Sequence, residues 1–225
     1  MAPVIWLSLF AALVLLVLLP FVFAEVMSIS LAKLHISPTI GLLIVIAVIF
    51  GGFINIPVRR IQHSRRVIGH PLAVFGLFGV LPELQRDRSE TVIAVNLGGC
   101  VIPVALAIYE TMSLVASDAS MLGPLVLAAA INVAACYFLA RPLPGVGIAL
   151  PSLVPALLAV AAALLLAPGQ APPVAFVAGV AGPLIGADLL HLWDIDAIGS
   201  AVVSIGGAGT FDGIILSGIL AAYLA

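Results

Sequence analysis

Charge is what this sequence has least of. Only 8% of its 225 residues are Asp, Glu, Lys or Arg, while 64% are hydrophobic, and the mean hydropathy is +1.34. A soluble globular domain carries about 25% charged residues. This chain therefore has too little polar side chain to cover a surface facing water, and its expected partner is a lipid bilayer. A net charge of -2, with no basic stripe, argues against a nucleic-acid partner. Cysteine is equally scarce. Cys100 and Cys136 fall inside apolar runs with no Cys or His at ligand spacing, which disfavours a disulfide or a metal pair. There is also no phosphate loop, no Ser–His–Asp constellation and no His/Cys/Glu cluster, so neither a metal nor an organic cofactor is expected.

What is present is a series of apolar runs. They fall at about 4–24, 38–56, 91–109, 119–140, 146–167 and 173–190, and a seventh region at 197–225 should place its helix at about 212–225. Each of the first six is near the roughly 20 residues needed to cross about 30 Å of hydrocarbon. In lipid the backbone must satisfy its own hydrogen bonds. The expected fold is therefore all-α, a single transmembrane helical bundle of about seven segments. A Gly-rich break or re-entrant segment is expected at 196–211. The first run has no basic stretch before it and exceeds the roughly 7–15 residues of a signal h-region, so it reads as a retained helix.

Orientation follows from the basic residues. Arg59, Arg60, Arg65, Arg66, Arg86 and Arg88 lie in the loop 57–90, and Arg141 lies between the fourth and fifth runs; Lys33 stands apart. Crossing in sequence puts the seven arginines on one side, which the positive-inside rule makes cytoplasmic. The N-terminus joins them there, as in a prokaryotic inner membrane. The same threading leaves Glu110 and Asp118 on the outer side. The apolar run 71–81 is too short to span and is expected at the interface.

Ionisable groups at membrane depth are costly and mark functional sites. Asp188 and Asp212 are the two candidates, the second following Gly206-Gly207-Ala-Gly209-Thr210-Phe211. Asn55, Asn96, Asn132 and Ser152 add uncharged polar groups, and Asn96 stands beside Gly98 and Gly99. With the sixth helix starting near Pro173 and the chain ending at the same face, Asp188 and Asp212 lie roughly 22 and 20 Å from that face. Two carboxylates at one depth share a proton, so that one serves as base towards a water and the other as acid towards a carbonyl. Gly206, Gly207 and Gly209, with Thr210, would let a substrate backbone approach. A rival threading makes 197–225 one broken helix and separates the two aspartates. His191 shares a helical face with Asp188 and could tune it.

The stretch Gly209-Thr-Phe-Asp212-Gly-Ile-Ile-Leu-Ser217 resembles the second catalytic segment of the presenilin and signal-peptide-peptidase class of GxGD intramembrane aspartyl proteases. Ala187-Asp188-Leu-Leu resembles that class's first segment, and Pro155-Ala156-Leu157 its Pro-Ala-Leu tripeptide. Phe211 stands where the class has glycine and Ala187 where it has tyrosine, and the tripeptide here precedes the aspartates. Over most of its length the chain is similar to an uncharacterised prokaryotic membrane family, the domain of unknown function 1614. That similarity runs through Asn96-Leu-Gly98-Gly99, Gly186-Ala187-Asp188-Leu-Leu and Ser204-Ile-Gly-Gly-Ala-Gly-Thr-Phe-Asp212-Gly. The protease resemblance implies that Asp188 and Asp212 are catalytic and that the substrate is a transmembrane peptide. The family resemblance implies a membrane protein without an assigned activity. Two other readings stay open. One is a transporter or small-ion pathway at the Gly206–Gly209 break. The other is a structural or partner-binding protein in which Asp212 caps the last helix.

Overall fold

Long apolar runs leave their backbone little choice but to close on itself, and most of this chain is helical. A computed structural model describes residues 2–64, 88–143, 147–151, 153–192, 202–207 and 213–225. The helices are α1 (Ala2–Lys33), α2 (Pro38–Gly51), α3 (Ile102–Ser117), α4 (Leu122–Leu139), α5 (Val154–Leu166), α6 (Ala171–Ala181) and α7 (Gly213–Leu224). Two π-helical segments are built in, Leu97–Val101 leading into α3 and Gly182–Leu189 extending α6. Among the described residues, Leu97–Ser117, Ala119–Leu139 and Pro168–Leu189 are each long and apolar enough to cross a membrane. The expected helical bundle is what forms.

Some boundaries differ from those the apolar runs suggest. Residues 91–96 and 55–56, read as helix, are strand. β1 (Asn55–Ser64) pairs antiparallel with β2 (Arg88–Asn96), from Asn55 opposite Asn96 to Ser64 opposite Arg88, with a bulge between Pro57 and Arg59. β5 (Val202–Ile205), inside the segment expected to be re-entrant or interfacial, runs parallel to β2, Val92 facing Val202 and Val95 facing Ile205. The reason is local. Thr91, Val92, Ile93 and Val95 are β-branched, and such side chains fit a pleated surface better than a helix. A second hairpin, β3 (Arg141–Leu143) with β4 (Gly147–Ala149), follows α4 and takes the start of the run expected to be helical from 146. α3 also continues past residue 109, to Ser117.

The molecule is apolar outside and small-residue inside. Phe50, Phe53, Phe138 and Leu165 are among many large side chains left exposed, a surface suited to lipid tails. Within, Ala156, Ala159, Ala163, Ala175, Ala178, Ala221 and Ala222 are fully or almost fully buried. Small side chains let helix backbones approach where no hydrophobic effect drives them together. α6 is the central post, with every residue from Pro173 to Val180 buried. Gly179 meets α7 so closely that a Cβ there would lie 2.8 Å from the Ser217 carbonyl.

Contacts fix the directions of the helices. Ser30 Oγ lies 2.9 Å from the Ile219 carbonyl, and Lys33 Nζ donates to the Tyr223 carbonyl at 2.6 Å, so α1 and α7 run parallel. Asn132 donates to Ala178, while Tyr137, further along α4, meets Gly186, so α4 and α6 are parallel too. One end of the bundle therefore gathers the strands, and the other gathers Lys33, Asp118 and the end of α7.

Candidate functional site

The sheet end is where the sequence-predicted polar residues meet. Asn96 closes β2 and opens the first π segment, and its side chain is fully buried. Its Oδ1 accepts from the Gly99 N–H at 2.7 Å, satisfying one of the donors that a helix start leaves orphaned. Its Nδ2 donates to the Gly52 carbonyl at 2.7 Å and to Asn55 Oδ1 at 3.2 Å. One side chain thus ties the end of α2, the start of β1 and the start of α3. The backbones cross there closely enough that a Cβ on Gly98 would strike the Val48 carbonyl and the Gly52 nitrogen.

Ser204 brings β5 into the same cluster. Its hydroxyl lies 2.7 Å from Asn55 Oδ1 and 2.7 Å from the Gly207 carbonyl, and its single proton serves one of these acceptors at a time. The chain then turns sharply. Gly206 and Gly207 have φ of +82° and +74°, the left-handed region that glycine enters without a Cβ penalty. The turn also leaves no room for a side chain, because a Cβ on Gly206 would sit 2.7 Å from the Cys100 nitrogen. From this turn the Gly206 N–H donates to Asp188 Oδ2 at 3.2 Å.

Asp188 is held there by the wide winding of its own segment. Gly186, two residues before it, lies flat against Val133, Cys136 and Tyr137 of α4. His191 is buried and stacks on Tyr137 with ring centroids 5.0 Å apart. Its Nδ1 lies 3.1 Å from the Gly186 carbonyl and 3.0 Å from that of Ala187. These bonds anchor the carbonyls that end the π segment, so Nδ1 is engaged by backbone and not by the carboxylate of Asp188. Elsewhere, Asn132 joins α4 to α6 through the Ala178 carbonyl at 2.8 Å, as a helix-bridging amide does in a membrane.

The remaining expected site residues fare differently. Pro155 sits in the first turn of α5, where its missing N–H costs nothing. Ala156 is fully buried and Leu157 faces outward. Gly209, Thr210 and Asp212 lie outside the described residues, as do Ser152, Trp193, Asp194, Asp196, Arg65, Arg66, Arg86 and the run 71–81. Among the described residues, no group of three or more His, Cys, Asp or Glu could hold a metal ion.

One polar residue was missed by the sequence reading. The apolar runs end the third helix near residue 109, yet α3 runs two turns further, and the side chain of Glu110 is only 5% exposed. Its Oε1 and the hydroxyl of Ser217 are buried with no hydrogen-bond partner among the described residues. The signal was available in Thr111-Met-Ser-Leu-Val-Ala, a stretch with no proline, glycine or charge to stop the helix before Asp118.

A family model described as protein of unknown function, DUF1614, matches residues 49–224. No curated protein matches the chain, and no solved structure matches it.

Proposed function

This chain belongs to the DUF1614 family, its apolar helices are those of an integral membrane protein, and we propose that it is an intramembrane hydrolase using Asp188 and Asp212 as an acid–base pair. One observation carries the reading. The carboxylate of Asp188 rests on the Gly206 N–H, on the segment that reaches Asp212 six residues later. α7, which begins at the neighbouring Gly213, packs against both π segments. Six residues span at most about 20 Å, which supports the reading that Asp212 shares an end of the bundle with Asp188. A shared proton between the two carboxyls would leave one to activate water and the other to protonate a carbonyl oxygen. Among the described residues β5 pairs on one edge with β2 alone. An extended peptide added to its other edge would pass beside Asp188.

In this reading the protein lies in a prokaryotic inner membrane with its N-terminus and sheet end in the cytoplasm. Arg59, Arg60 and Arg141, all at the sheet end, support that side by the positive-inside rule. The test is cleavage of transmembrane peptides by the protein reconstituted in liposomes. Wild type should cut, and Asp188→Asn and Asp212→Asn should each abolish cutting. A wild type without cleavage, or an Asp212→Asn variant that still cuts, would overturn the assignment.

The broken helix favours a second reading, an ion pathway. A carboxylate, a wide helical turn and the Gly207 carbonyl converge at one end of α6, the kind of interruption that binds ions at membrane depth. That reading predicts ion flux in liposomes that Asp188→Asn removes, with no peptide cut.

A further inference from the structure

A second polar layer lies away from the sheet end. Cys100 touches Gly206, whose N–H is on Asp188, so the start of α3 adjoins the end of the π segment that extends α6. The two helices are antiparallel. Glu110 is ten residues beyond Cys100 and Ala178 ten residues before Asp188, each about 15 Å along its helix. The two therefore share a height, near the middle of the Pro168–Leu189 span. Gly179, the next residue, packs on Ser217. Glu110 and Ser217, which among the described residues have buried oxygens without a hydrogen-bond partner, thus occupy one level on helices that flank α6.

Among the described residues, the elements that pack most closely on α3 bring no cation to Glu110. It sits on the buried face of α3 with Pro103, Leu106, Ala107 and Leu114. The elements packed against α3 are α2, α4, α6, α7 and the short helical turns at its two ends. α2, α6 and the Ala119–Met121 turn have no titratable side chain. α4 offers Cys136 and Tyr137, α7 offers Tyr223, and the π segment offers Cys100. On α3 itself Tyr109 is exposed. None of these is a cation. A carboxylate in such a place would be an isolated charge in an apolar medium, a cost that groups avoid by taking up a proton. Maintaining this residue at that depth works against stability, which is the mark of an intramembrane functional group.

We propose that Glu110 is a proton-binding site within the bundle, separate from the Asp188 region, and that its proton exchanges with the end of the molecule where α3 stops. Seven residues, about 10 Å, separate it from Ser117. The proposal is independent of the hydrolase reading and stands or falls without it.

A hydrophobic carbodiimide tests it, because among carboxyls it modifies those that are protonated in an apolar setting. The acid adds across one C=N bond: its proton goes to nitrogen and its oxygen bonds the central carbon. The O-acylisourea then rearranges to a stable N-acylurea, with no change in oxidation state. The reagent is itself apolar and partitions into the bilayer, and an apolar groove between α3 and α6, lined by Ala107, Thr111, Val177 and Val180, runs along the adjoining face of α3. The full chain in liposomes would be treated with dicyclohexylcarbodiimide and mapped by mass spectrometry, beside Glu110→Gln. An adduct on Glu110 that declines as the outer pH is raised supports the site. A protonated-carboxyl carbonyl band in the infrared spectrum, missing from Glu110→Gln, supports it without the reagent. No adduct together with no such band would overturn the proposal. An adduct whose yield ignores pH would overturn the exchange.

Discussion

The molecule treats polar groups in two opposite ways. At the sheet end, Asn55, Asn96 and Ser204 share hydrogen bonds among themselves and with three backbone segments, and Asp188 rests on a backbone amide. At mid-height, Glu110 and Ser217 keep buried oxygens that have no partner among the described residues. The net gain from a satisfied hydrogen bond is modest, while an unmade one costs its full desolvation. The first region therefore holds the fold together, and the second is carried against the fold's own stability. Polar residues in a membrane protein are usually treated as one class, and these two regions show why they should be separated by their partners.

The sharpest way to break the sheet end is to add volume where backbones cross. Gly98→Ala would drive a methyl into the Val48 carbonyl and the Gly52 nitrogen, neither of which can swing aside as a side chain would. A loss of about 3 kcal/mol is expected, read as a lowered unfolding midpoint in detergent. Asn96→Leu comes next. It removes three hydrogen bonds and leaves the Gly99 N–H without its cap, for an expected loss of about 2 kcal/mol. At mid-height the sign should reverse. Glu110→Leu removes a buried polar group that has an unpartnered oxygen and should raise stability by about 1 kcal/mol. A fall in the midpoint would mean that Glu110 is structural after all.

The smallest effect concerns the far end. Asp118 accepts hydrogen bonds from the side chain and the backbone N–H of Ser120, which hold its carboxyl below the usual carboxylate range. A depressed value means that its contribution is present above the ordinary carboxylate range and is lost as pH falls through the lowered one. Asp118→Ala should flatten that part of the acid-unfolding profile only slightly, since the group is fully exposed and solvent screens it.

Much of this architecture is legible in composition, because a chain with so little charge can fold only where lipid covers it. The bond between Asp188 and Gly206 is not legible in the same way, because depth arithmetic ranks residues 188 and 212 along the membrane and says nothing of which backbone amide a carboxylate meets. Nor are the strands. Asn96 alone separates Thr91-Val-Ile-Ala-Val from Leu97-Gly-Gly-Cys-Val, and an apolar run carries no period to separate a buried strand from a helix. The β-branched cluster and the capping Asn96 are what distinguish the two halves. Glu110 was hidden for a different reason. A charged residue reads as the end of an apolar segment, but α3 carries it inward and stops at Asp118, whose side chain caps the next turn.

The π segment Gly182–Leu189 has a consequence that concerns counting more than chemistry. Its last bond runs from Leu190 N–H to the Ile185 carbonyl, five residues back, one more than an α-helix spans. Deleting a single residue from it would let the ladder close in the ordinary way. Everything downstream would turn by about 100° and shift by about 1.5 Å, and Asp188 would leave the Gly206 amide even if no polar side chain were altered. The segment is a phase setting. The length of the chain, as much as the identity of its side chains, decides which way the acid points.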